Sequence, residues 1–260
     1  MIKHTFCILD GIGEKSERRL WREGILTWED FTGATDLPGI NSERKTFYDQ
    51  ILTRDDQELL AQNAGYFSSR MKRREHWRLF DTFREGAVCM DIETNGFQPH
   101  HGGVVTVVGL YDGSSYKSLV RGDNLTAENL NRELARYKCL ITFYGASFDV
   151  PFILRSFSGV RFDIPHFDLC FAAKRLGLEG GLKKLEQSLG IIREESVQGL
   201  DGYDAVKLWE AYRRGSHEAL EKLITYNRED TVNLMRIACI FYDRLRQSTG
   251  IEEYLSGGIA

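Results

Sequence analysis

The chain has 260 residues, 42% apolar and 28% charged, with only 4 prolines and a formal net charge of -4. That composition excludes a disordered, collagen-like or low-complexity chain. No apolar run is long enough to cross a bilayer, and the opening residues lack the apolar stretch of a signal peptide. The length suits one full-sized core with a small appendage, and an acidic balance taken alone argues against a protein devoted to nucleic acid.

The five cysteines, Cys7, Cys89, Cys139, Cys170 and Cys239, are widely spaced and form no Cys-x-x-Cys. They read as reduced, mostly buried thiols in a cytoplasmic protein rather than as a zinc site. Residues 1–85 carry short helical patterns and no clear strand, which predicts a small helical module. Within it, Leu9-Asp10-Gly11-Ile12-Gly13-Glu14-Lys15-Ser16-Glu17-Arg18-Arg19 resembles a helix-hairpin-helix motif. The resemblance implies that backbone amides around Gly11 and Gly13, with Lys15 and Arg18, contact a nucleic-acid phosphate at a helix start. A complete motif needs a helix before Gly11, where β-formers such as Thr5, Phe6 and Ile8 stand instead. Phosphate binding and simple packing therefore both stay open. The basic stretch Arg70 to Arg84, which includes Trp77 and Phe80, reads either as a solvated helix face or as a binding surface.

From residue 86 to about 250 the pattern changes to strands and then to helices. Ala87 to Ile92 is a buried-strand run, Val104 to Leu110 a second strand, and Asp112-Gly113 a hairpin turn into a third at Tyr116 to Val120. A helix is expected over Leu125 to Tyr137 and a buried strand over Cys139 to Tyr144. A second helix should run from Phe148 to Phe157, then a short strand ends near Asp168 and helices follow. The expectation is an α/β domain, a mixed five-stranded sheet flanked by helices.

Three pieces of this region carry chemistry. In Asp91-Ile92-Glu93 the two acids share one face of a strand, where they repel each other unless a cation sits between them. In Tyr144-Gly145-Ala146-Ser147-Phe148-Asp149 a buried strand turns into a helix at an acid, which could equally be a helix cap. In Tyr226-Asn227-Arg228-Glu229-Asp230 the i to i+4 spacing sets Tyr226 and Asp230 on one helical face.

Together and in this order, the three resemble the motifs of DEDD exonucleases of the ribonuclease H-like superfamily. The Tyr-x-x-x-Asp form is that of the DEDDy branch, and the flanking residues are similar to its YprB-like group. What the resemblance implies is a metal-dependent 3′→5′ exonuclease acting on DNA or RNA with two divalent cations, Mg²⁺ or Mn²⁺. Asp91, Glu93, Asp149 and Asp230 would hold the cations, Tyr226 would position the attacking water, and Tyr144 and Phe148 would face the nucleic acid. Hard oxygen donors suit these ions. With an ordinary pKa near 10, a tyrosine is better suited to orienting water than to acting as its base. The group commonly has Asn in the slot before Gly145, and this chain has Tyr144. Asp168 resembles an auxiliary position of the family and also has the setting of a helix cap. Two other functions compete: a non-catalytic binding or scaffold protein with the same fold, and a structure-selective endonuclease.

Overall fold

A computed structural model describes residues 1–256 of the chain. Five strands form one sheet in the order β3-β2-β1-β4-β5: β1 Ala87–Thr94, β2 Val105–Tyr111, β3 Tyr116–Val120, β4 Cys139–Thr142 and β5 His166–Asp168. The first three are antiparallel neighbours, whereas β4 and β5 join β1 in parallel. This is the mixed sheet the sequence predicts.

Alternation along β1 sorts its residues between two layers. Val88, Met90 and Ile92 pack with Leu130, Leu134, Phe152 and Ile153, which lie in the helices Ala127–Leu134 and Asp149–Ser156. Ala87 and Cys89 point the other way and pack with Leu234, Ile237 and Phe241, which belong to the 33-residue helix His217–Thr249. We call these three helices αA, αB and αC in that order. Asp91 and Glu93 continue the αC-facing side of β1, so the apolar face ends in two acids.

Two elements are shorter than the sequence suggests. Helix αA starts only after Thr126, whose side chain accepts from Asn129 N–H. Strand β4 stops at Thr142 rather than Tyr144, because Thr142 Oγ1 accepts the Gly145 N–H at 3.1 Å and closes a turn. A Cβ at position 145 would lie 2.3 Å from that oxygen, so the turn requires glycine.

The N-terminal 85 residues are helical as expected, with α1 Glu14–Arg22, α2 Trp28–Gly33, α3 Ser42–Leu60 and α4 Ala64–Arg70. Before Gly11 stands only a short 3-10 turn, Ile2–His4. Glu17 accepts the Phe6 and Cys7 N–H groups at 2.6 and 3.0 Å, so this stretch is pinned as turns without a preceding helix. The Gly11 turn is filled: a Cβ there would meet the Arg44 guanidinium at 2.2 Å, and Arg44 and Tyr48 both donate to the Asp10 carbonyl. The basic stretch also divides. Arg78 is fully buried and paired with Glu17 and Glu75 at 2.9 and 2.8 Å, whereas Arg73 and Arg74 are exposed. The apolar core does not break at residue 85, since Phe6, Trp21 and Phe31 belong to the same cluster as Cys89, Leu234 and Phe241.

Candidate active site

The acidic end of β1 meets the middle of αC. Asp91, Glu93 and Asp230 each offer a carboxylate oxygen, and the three oxygens lie within 4.8 Å of one another. Asp149 joins from the other edge of β1. Strand β4 pairs with β1 only as far as Cys89, which leaves the Ile92 N–H without a strand partner on that side. Asp149 Oδ1 accepts it at 3.1 Å, so the acid that opens αB is tied to the residue between Asp91 and Glu93. Tyr226, one turn before Asp230, is buried on the same helix.

Three carboxylates this close, with Asp149 tied to the same strand, cannot all hold their charge comfortably. Burial first, and then the neighbouring Asp149, Asp230 and Glu93, raise Asp91 well above the usual carboxylate range. Glu93 is raised in the same way by burial and by Asp230. Burial lifts Asp149 to about 7 against the lowering effect of its backbone N–H bonds. Burial and the adjacent Asp230 carboxylate raise Tyr226 too, so its hydroxyl stays protonated at any physiological pH.

Three further residues belong to the site, and sequence reasoning missed them. Asn227 is fully buried and donates from Nδ2 to Asp91 Oδ2 at 2.9 Å and to Glu93 Oε1 at 3.3 Å. The Tyr116 hydroxyl donates to Asn227 Oδ1 at 2.9 Å, which turns the amide N–H₂ toward the acids. The signal for Asn227 was partial, since it sits between Tyr226 and Asp230 in the third motif. Arg193 had no such signal. It comes from the loop after Ile191, with Nη2 2.5 Å from Asp230 Oδ1 and Nε 2.6 Å from Glu186 Oε2. Arg193 thus forms an ion pair with Asp230 inside the acidic centre, and Glu186 and Asp230 together hold its guanidinium charged.

The turn before Asp149 exposes two aromatic rings, Tyr144 at 48% and Phe148 at 39%. Tyr144 has φ +67°, a left-handed conformation that Asn tolerates and bulky residues resist. Asp168 braces this turn by accepting the Tyr144 and Ala146 N–H groups at 3.0 and 2.9 Å. It also caps the helix Leu169–Arg175, here αD, through Cys170 N–H. The remaining sequence candidates lie apart from the acids. Gly13 and Lys15 line a cavity next to the Ala146-Ser147 turn, while Arg18 lies on a different, smaller one and donates to the Ser248 carbonyl.

Residues 88–242, more than half of the chain, match the model of a family described as the RNase_H superfamily. Solved structures also match. A chain described as "apo form of the nuclease" is 22% identical, with a TM-score of 0.49, over 71% of this chain and 82% of that one. NrnC of Brucella melitensis, bound to pGG, is 23% identical with a TM-score of 0.48 over 67% of this chain and 80% of that one. No curated protein matches the chain.

Proposed function

The chain belongs to the RNase H superfamily, and from that premise we propose that it is a metal-dependent 3′→5′ exonuclease of the DEDDy type. The observation that carries the proposal is the meeting of Asp91, Glu93 and Asp230, with Asp149 tied to the same strand and Tyr226 on the same helix as Asp230. An all-oxygen donor set of this kind fits Mg²⁺ or Mn²⁺. The raised carboxyls of Asp91, Glu93 and Asp149 fit a site that gains positive charge when a cation binds.

Divalent cations held by Asp91, Glu93, Asp149 and Asp230 would neutralise the scissile phosphate and make water more acidic. The chain's own groups do the rest. Asn227 holds the Asp91 and Glu93 carboxylates in one orientation through its two donor bonds. Tyr226, one turn from Asp230 on the same helix, orients the attacking water, and an ordinary pKa near 10 makes it a poor base. Phe148 and Tyr144, exposed on the turn that leads into Asp149, offer ring faces on which the end of a nucleic-acid strand can stack.

The contact between Arg193 and Asp230 favours a second reading, in which a guanidinium has replaced the cation and the fold is kept for binding alone. End-labelled single-stranded DNA, double-stranded DNA and RNA, digested with Mn²⁺, Mg²⁺ or EDTA, separate the two. Mononucleotides released from 3′ ends with Mn²⁺ or Mg²⁺, and not with EDTA, are expected. Asp91→Ala should slow release by about a thousandfold or more, since it removes several kcal/mol of charge stabilisation. Release unchanged in that variant would falsify the assignment. Cleavage of a circular strand, which has no end, would move it to an endonuclease.

A further inference from the structure

A cavity of about 980 Å³ lies between the N-terminal segment and the catalytic sheet, and one of its walls is the Ala146-Ser147 turn that leads into Phe148 and Asp149. Lys15, Arg73 and Arg74 line it, and all three are exposed; Arg74 also contacts the buried Glu75 at 3.4 Å, with its side chain still largely in solvent. Two acids also stand on the wall, but neither presents free charge. Glu14 is paired with Arg175 at 2.6 Å, and Asp168 accepts backbone N–H groups from Tyr144, Ala146 and Cys170.

The cavity carries two more features suited to a polynucleotide. Gly13, at the start of α1, has no capping side chain, and nothing stands within 4 Å of where its Cβ would be. The first turn of that helix, uncapped by a side chain, begins at the cavity that Gly13 lines. Phe171 of αD is 48% exposed on the cavity wall, with Lys174 Nζ 5.5 Å from its ring centroid. Phosphate-seeking cations and an exposed ring form the combination that holds a single strand, with phosphates on one side and a stacked base on the other. The volume is that of a small-molecule site. An unpaired strand can offer a base to the Phe171 ring, whereas the bases of a duplex are stacked inside the helix.

We propose that this groove holds the single strand of nucleic acid that leads into the acidic centre, with phosphates against Lys15, Arg73 and Arg74 and a base on Phe171. The assignment rests on the nuclease reading for its direction toward the acids, and on charge and shape for the binding itself. It also separates the residues of the hairpin-like motif: Gly13 and Lys15 face the strand, whereas Gly11 and Arg18 serve packing.

The test is fluorescence anisotropy of a 5′-fluorescein-labelled oligodeoxythymidylate with the full chain in EDTA, which prevents cation-dependent cleavage. Arg73→Ala with Arg74→Ala should weaken binding about tenfold and lower the salt slope by roughly 1.4, at about 0.7 per lost phosphate contact. Phe171→Ala should weaken binding by roughly tenfold as one stacked base is lost, and Arg18→Ala should leave it unchanged. Lys15→Ala reads the same wall from α1 should the double variant fail to fold. A parent chain that does not bind, binding unchanged in the groove variants, or an equal loss in Arg18→Ala each overturns the groove. Equal competition by a duplex overturns its assignment to a single strand. Absence of nuclease activity with binding lost in the groove variants ends the exonuclease proposal and leaves the groove standing.

Discussion

Arg193 brings a guanidinium within 2.5 Å of Asp230 in a centre whose other acids have no cation so close. Its stem is fixed from behind, since Glu186 holds Nε at 2.6 Å and Asn233 donates to Glu186 at 2.9 Å. The guanidinium thus acts as an internal counter-ion to the carboxylates, and a divalent ion entering at Asp230 must displace it.

Removing that competitor has opposite effects on the two states of the site. Arg193→Gln should tighten Mn²⁺ binding roughly tenfold, the worth of one lost charge-assisted contact, as read by calorimetry. In EDTA the same variant should melt several degrees lower, because repulsion among the acids is left uncompensated. Mn²⁺ affinity equal to that of the parent would show that the guanidinium and the cation do not compete.

Tyr144 tests a trade between stability and contact. Asn at this left-handed position relieves a backbone cost of about 1 kcal/mol, so Tyr144→Asn should raise the unfolding free energy by about that amount in urea titrations. The same change removes an exposed ring and should weaken oligonucleotide binding. A less stable variant would mean that the ring contributes more packing than its backbone costs.

Gly109 lies opposite Asp91 in the β1–β2 register, and a Cβ there would approach Asn227 Oδ1 to 2.0 Å. Gly109→Ala should therefore destabilise the fold by about 1–3 kcal/mol and push Asn227 away from Asp91 and Glu93. Adding Asn227→Ala to it should restore part of the stability, because the clashing amide is gone. Denaturation of the single and double variants reads this coupling.

Buried histidines set the acid limit of the fold. Burial, with His76 and Arg73 nearby, depresses His166 from its ordinary 6.5 to about 3, and burial also lowers His76. The His166 N–H donates to His76 Nδ1 at 3.0 Å, an acceptor that protonation of His76 would abolish. A depressed pKa contributes stability that is fully present above 6.5 and lost as the pH falls through the range to about 3. The raised acids of the active site have the opposite sign, so the comparison is between the parent and His166→Gln. The parent should lose more stability than the variant between pH 6.5 and 4, and parallel curves would remove His166 from the account.

Much of this architecture is legible without coordinates. The alternation of Val88, Met90 and Ile92 with Cys89, Asp91 and Glu93 displays a strand with one face that ends in acids. The i to i+4 step from Tyr226 to Asp230 displays a helix face. Local periodicity carries that information because backbone geometry alone decides which neighbours share a side. Asn227 was half legible, as a polar residue within the buried third motif.

Arg193 was not legible, since it reaches Asp230 through a loop, and loops have no period from which to read a direction. The division of the basic residues was equally hidden. Charge in a sequence looks the same whether the side chain ends against Glu17 and Glu75, as Arg78 does, or on an open cavity, as Arg73 does. Sequence by itself determined the sheet, its acidic strand end and the order of the motifs. Only the tertiary structure decided which cations compensate the acids and which remain for a ligand, because that depends on contacts between residues far apart in the chain.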